Sequence, residues 1–206
     1  MPAASSAVLT HLRDRIEQIG GVNARTRTVL PFGVPEIDDR LPKGGLAYGV
    51  VHEIAGGADG AIDGAAAVSF AAGIAARTGG LVLWCYTQPD LFAPGLARSG
   101  LTGNRVVFFE GGDEPSVLGA CEEALRHGGL TAVVGELSNL SRVASQRLLM
   151  AAEPTGTMAL IVRRWRRHID ARDFGRPTAA HTRWRVTELN SAPLPVRGVG
   201  RARWML

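Results

Sequence analysis

VVHEIAGGADGAIDGAAAVSFAAGIAAR, residues 50–77, is the stretch on which the fold turns. A short apolar strand runs into a glycine-rich turn, and an alanine-rich helix follows. That is the outline of a phosphate-binding strand–loop–helix, but the chemistry it serves is missing. A working loop reads G-x-x-x-x-G-K-[ST]: backbone N–H groups cradle phosphates, the Lys reaches the β and γ positions, and the hydroxyl holds Mg²⁺. Here residues 56–64 read GGADGAIDG, Ala65 and Ala66 stand where the Lys and the Ser or Thr belong, and Lys43 is the only lysine in the chain. Gly56, Gly57, Gly60 and Gly64 are therefore read as a vestigial phosphate loop within residues 56–66. Asp59 and Asp63 would repel a triphosphate. No cofactor and no metal ion is expected.

Outward from this unit, apolar runs at 49–54, 81–86, 105–109, 131–134 and 157–162 read as strands, the second as a central strand buried on both faces. Between them lie helices over 64–77 and 90–99, one N-capped by Asp113 with Pro115 in its first turn, and one from Ser141 to near Glu153, stopped by Pro154. The alternation specifies an α/β, three-layer fold: a mostly parallel central sheet, helices on both faces and right-handed crossovers. After residue 163 the pattern breaks. Residues 164–180 are basic and aperiodic, with Gly175 and Pro177. Residues 182–189 alternate as a strand and 200–205 can pair with them, so 182–206 reads as a closing antiparallel hairpin. At the other end, Ser5 or Ser6 caps a helix with Val8, Leu9, Leu12, Ile16 and Ile19 on one stripe and Gly20-Gly21 as its stop. Residues 28–45 are turn-rich, and Pro35 starts a short helical turn. The division expected is an N-terminal helix and linker, 1–27, and one domain, 28–206.

Hydrophobic residues make up 46% of the 206 and charged residues 20%, a soluble globular composition. The apolar stretch 65–76 is too short to span a bilayer and no basic-then-apolar leader opens the chain, so a cytoplasmic protein without a membrane is expected. Cys85 and Cys121 lack metal-ligand spacing and read as buried free thiols. The net charge of +4 is unevenly placed: residues 163–206 hold eleven Arg against Asp170, Asp173 and Glu188, a balance of +8, and the remainder carries −4. A basic end on a mildly acidic body suits an acidic partner, nucleic acid first.

In α/β sheets, functional positions lie at the carboxyl ends of the strands. The strand 131–134 ends in Gly135, with Glu136 one residue further, where an active ATPase needs an Asp for Mg²⁺. The strand 81–86 leads to Thr87, Gln88 and Pro89, where Gln88 cannot take a proton from water. With the missing lysine, these absences argue against ATP hydrolysis and against an enzyme. Glu136, Asp90 and His52 are read as solvated or satisfied in the core, and no G-x-S-x-G, H-E-x-x-H or paired C-x-x-C is present. The strongest positive signal is RRWRRHIDARDFGRP, residues 163–177. Arg163, Arg164, Arg166, Arg167, Arg172 and Arg176 can neutralise phosphates, and Trp165, His168 and Phe174 offer flat groups for stacking. Three readings stand open: a nucleic-acid contact, a protein interface anchored by Trp165 and its arginines, and a solvated loop whose Trp and Phe are core anchors.

The run LPFGVPEIDDRLPKGGLAYGVVHEI resembles the lead-in of RecA-type domains, and DLFAPGLARSGL is similar to the stretch after RecA's second core strand. More narrowly, GGLAYGVVHEIAG, LWCYTQPDLFAPGLARSGL, AVVGEL, SRVASQRLLMAAEPTGTMALIVR and TRWRV resemble the ImuA family, over residues 29–206. The resemblance implies a RecA-like fold and an accessory, non-catalytic role in damage-inducible mutagenesis. It implies translesion synthesis in the SOS response beside ImuB, a Y-family polymerase homologue, with RecA and an error-prone replicative-type polymerase as further partners. It places residues 163–180 where RecA carries a DNA-binding loop and the N-terminal helix where RecA joins protomers. The alternatives carried are a SulA-like cell-division inhibitor and an ATP-binding or single-strand DNA-binding RecA paralogue.

Overall fold

The structure, a computed structural model, describes residues 28–57, 61–165, 171, 174–198 and 200–206. The expected N-terminal helix lies outside the described residues, so the division after residue 27 falls at their border. By contacts the chain parts into two compact units, Met1–Ala47 and Tyr48–Leu206.

In the first unit, β1 (Val29–Leu30) pairs antiparallel with β2 (Leu46–Ala47), and between them Pro35 opens the four-residue helix α1 (Pro35–Asp38). Asp38 ties the turn, accepting from the backbone N–H groups of Phe32 and Gly33 at 2.7 and 2.8 Å.

The second unit holds β3 (Val51–Gly56), α2 (Ala61–Arg77), β4 (Val82–Tyr86), α3 (Ala93–Arg98), β5 (Val106–Glu110), α4 (Glu114–His127), β6 (Ala132–Leu137), α5 (Arg142–Ala152), β7 (Met158–Arg163), β8 (Thr182–Leu189) and β9 (Arg203–Met205). They form one seven-stranded sheet in the order β5-β4-β6-β7-β3-β8-β9, parallel throughout except for the β8–β9 hairpin. The expected fold class is therefore the observed one. Beyond the expected hairpin, β8 also pairs parallel with β3 and so belongs to the main sheet.

Strand alternation separates the two faces. Val51, Cys85, Val133 and Ile161 point to one side and bury Val117, Cys121 and Leu125 of α4 with Leu148 and Ala152 of α5. Trp184, of the opposite parity, meets Phe70 of α2 with ring centres 5.6 Å apart. The caps read from sequence hold: Asp113 accepts from Ser116 N–H at 2.8 Å and Ser141 from Ala144 N–H at 3.1 Å. Gly128 ends α4 in the left-handed region, at φ 73°. Several elements differ from expectation: β3 lies two residues later than the strand expected at 49–54, and α2 starts at Ala61 rather than at residue 64, so residues 61–66 of the expected loop are helical. The helix expected at 90–99 is shorter, Ala93–Arg98, with Pro94 in its first turn. The strand expected to stop before Gly135 continues to Leu137. Gly135 is there for close approach rather than termination, since a Cβ on it would stand 2.8 Å from Cys121 Sγ.

Candidate interface at the carboxyl end of the sheet

β3 delivers the vestigial loop. Gly57 N–H, the first amide past the strand, donates to Val186 O of β8 at 3.0 Å. Gly56 O accepts from Arg185 Nη1 at 3.4 Å. At the head of α2, Ala65 is exposed and Ala66 buried. Gly64 has open space around it. Asp59, Gly60 and the side chain of Asp63 lie outside the described residues. Among those described, the loop offers neither cation nor hydroxyl to a phosphate, so its donor set does not fit a magnesium-bound triphosphate.

Beside the loop, Glu53 of β3 is fully buried, and both its oxygens are engaged. Oε1 accepts from Arg163 Nη1 at 2.5 Å; Oε2 accepts from Arg183 Nε at 2.9 Å and Thr178 Oγ1 at 3.0 Å. Register explains the meeting. Arg183 stands directly opposite Glu53 on β8, while Arg163 lies diagonal to it on β7, opposite Ala55. Arg163 also donates from Nη2 to Ser138 O at 2.7 Å. Its side chain is fully buried, which corrects its assignment as a phosphate or partner contact: a guanidinium enclosed by protein and already paired is not presented to a ligand. Phe174 is also buried, an anchor rather than a stacking platform. Arg183 and Arg185 lie against its ring at 4.5 and 4.7 Å, and Arg183 Nη2 donates to its carbonyl oxygen. Trp165 meets Phe174 edge-on at 5.9 Å and donates Nε1–H to Ser138 O at 2.8 Å.

On the opposite face, Glu136, the last residue but one of β6, is 5% exposed. It lies within the strand rather than past it, and of the two environments expected for it, solvent or a satisfied place in the core, it has the second. Trp84 Nε1–H donates to its Oε1 at 2.7 Å, and Arg164 Nη1 to its Oε2 at 3.0 Å. Arg164 Nη2 reaches Asp90 at 2.6 Å. Burial raises the Glu136 carboxyl above its ordinary value of 4.5, against the downward pull of Arg164 and of the Trp84 hydrogen bond. A pocket of about 970 Å³ opens here, lined by Gln88, Asp90, Asp113, Glu114, Glu136, Arg164 and Trp165, among others. Two of these carboxylates are structurally committed, Asp113 as a cap and Glu114 to Ser138 N–H at 2.6 Å.

Of the residues singled out from sequence, the structure brings Arg163, Trp165 and Phe174 together around Glu53 and sets Arg164 on Glu136. Arg176 is exposed, and Arg166, Arg167, His168 and Arg172 lie outside the described residues. His52, expected to be satisfied in the core, is buried with Nδ1 2.7 Å from Thr182 Oγ1. Cys85 and Cys121 are free and buried. Sequence reasoning missed Glu53, Arg183 and Arg185. The signal that could have found them is parity within strands: Glu53 breaks an apolar run, and Arg183 and Arg185 alternate on one face of β8.

Among the described residues no helix is long and apolar enough to cross a membrane, and no group of three His, Cys, Asp or Glu is placed to hold a metal ion. No protein-family model matches the chain. Protein ImuA of Caulobacter vibrioides, in two strains, is 36% identical over 196 residues, covering 89% of this chain and 80% of the relative. Among solved structures, SulA from Pseudomonas aeruginosa is similar with a TM-score of 0.47 and 24% identity, over 56% of this chain and 98% of that one. The RadB recombinase is similar with a TM-score of 0.49 and 13% identity, over 78% and 88%.

Proposed function

The chain belongs to the ImuA family, and from that premise we propose that it is a non-catalytic accessory protein of a damage-inducible mutagenesis complex. It acts in the cytoplasm, in translesion synthesis during the SOS response, through contact with an ImuB-type Y-family polymerase homologue. RecA and an error-prone replicative-type polymerase are further partners. Residues 28–206 are the domain in this reading and residues 1–27 an arm. The observation that supports a non-catalytic role is the head of α2. One amide of the would-be phosphate nest is spent on Val186, and alanines occupy the positions of the cation and the hydroxyl. The test pairs calorimetry with ATP and Mg²⁺ against a pull-down of the polymerase homologue without nucleotide. The expected result is no nucleotide heat and a complex that forms regardless. Micromolar ATP affinity, about −8 kcal/mol, accompanied by turnover, overturns the non-catalytic role. Failure of the pull-down overturns the adaptor role.

A second reading, direct contact with single-stranded DNA, is favoured by the +8 balance of residues 163–206. It requires affinity that falls linearly with the logarithm of salt concentration.

A further inference from the structure

Resting on that second reading, we propose that Arg183 and Arg185 of β8 form a binding site for the phosphodiester backbone of single-stranded DNA, with Glu53 as the residue that positions Arg183. Neither arginine belongs to the basic run that drew attention in the sequence. They alternate on one face of β8, both exposed, and lie against the Phe174 ring at 4.5 and 4.7 Å. Arg183 spends Nε on Glu53 and Nη2 on the Phe174 carbonyl, and its side chain keeps 30% exposure. Arg185 has only Gly56 O and the ring, with no carboxylate among the described residues.

Charge decides what such a cluster takes. Arg163 and Arg183 share the Glu53 carboxylate, and Arg183 and Arg185 share the Phe174 ring, so three guanidinium groups stand with one carboxylate among them, an excess of two positive charges. Like charges gathered against a shared ring repel one another, and an anion relieves the repulsion. The guanidinium fork suits phosphate oxygens and needs no sequence-specific geometry. With Phe174 buried, the site has no open stacking face of its own. It therefore reads backbone rather than bases. Glu53 holds Arg183 as one of two cations on its single carboxylate, so the exposed arginine enters binding with its side chain already ordered.

The experiment is fluorescence anisotropy of the full chain with labelled oligothymidine across a salt series. Arg183→Ala/Arg185→Ala lies on an exposed strand face; it is expected to weaken binding about tenfold at low salt and to reduce the log–log salt slope by about 1.4, at 0.7 per phosphate lost. Glu53→Gln separates positioning from bulk charge by sign. Removing a negative charge tightens DNA binding if only net charge matters, whereas loss of positioning weakens it about threefold or more. A thermal melt of the same sample reports whether Glu53→Gln is folded, and Arg185→Ala alone, expected to remove about 0.7 of slope, carries the test if it is not. Parent binding with both arginine variants unchanged overturns the site while leaving the DNA reading intact. Failure of the parent to bind oligothymidine at low salt removes the reading and the site together. Displacement by polyglutamate as effective as by unlabelled oligothymidine assigns the arginines to an acidic polypeptide and overturns the phosphodiester assignment.

Discussion

Two buried glutamates end up on opposite faces of one sheet, and consecutive arginines at the end of β7 answer them. Glu53 is enclosed: two arginines and a threonine fill its oxygens, and both it and Arg163 are shut from solvent. Glu136 has one arginine and one indole, and its arginine leans out across a pocket to the exposed Asp90. The contrast separates a carboxylate closed in by its partners from one that borders an open pocket. Arg163 and Arg164 are neighbours in a basic run and look interchangeable on paper. Parity sends one inward to the α4–α5 side and the other toward the pocket, and their consequences diverge from there.

The largest effect is expected at Arg163. Removing one partner of a buried ion pair strands the other, typically at 3–5 kcal/mol. Arg183 still holds Glu53 Oε2, so Arg163→Met is expected near the lower end, about 3 kcal/mol in urea unfolding at neutral pH. Glu53→Met/Arg163→Met is expected to recover most of that loss, because apolar groups of similar volume replace a buried pair at little cost. A loss of under about 1 kcal/mol in the single variant would mean that Glu53 is not the enclosed fastener described.

How much of this was legible in the chain follows the same line. Strand–helix alternation, the caps at Asp113 and Ser141 and the helical turn at Pro35 are local events, written within a few residues of where they act, and the fold class follows from them. The missing lysine and hydroxyl at residues 65 and 66 are equally local. Glu53 and its partners are not. Arg163 lies 110 residues away and Arg183 130, and they converge only through the order β7-β3-β8 and its register. Glu136 was misplaced for a related reason. Gly135 reads as a stop to an apolar run, when it is in fact the small residue that lets α4 close on the sheet. Phe174 sits in a basic run and looks like a platform for bases, but two arginines from β8 turn it into an anchor.

Second in size is Arg164. Arg164→Ala leaves Glu136 buried with the indole N–H as its remaining partner, and a charged hydrogen bond of this kind is expected to contribute about 2 kcal/mol near neutral pH. The pH dependence has a definite sign. Burial already holds the folded carboxyl above 4.5, so the folded state keeps its proton more tightly than the unfolded chain, and stability falls as pH climbs from that value through the folded one. Arg164 opposes the rise; without it the folded value climbs further. The deficit of Arg164→Ala should therefore be small in acid and widen toward neutrality, and Glu136→Gln should flatten the parent's decline. A deficit independent of pH would place the cost of Arg164→Ala in lost packing rather than in the Glu136 charge.

The smallest effect is expected at Asp90, and it sharpens the comparison most. Asp90 and Arg164 meet at 2.6 Å, as close as many strong pairs, yet their side chains are 55% and 30% exposed. An exposed pair gains little, because water screens it and ordering two side chains offsets what remains. Asp90→Asn is expected to change stability by no more than about 0.5 kcal/mol. It also removes a like charge that pushes the Glu136 carboxyl upward, so the fall in stability with pH should become slightly shallower. If Asp90→Asn instead cost as much as Arg164→Ala, the outer arm of Arg164 would be as essential as the inner one. The pocket side would then be a second closed fastener, and the distinction between the two faces would collapse.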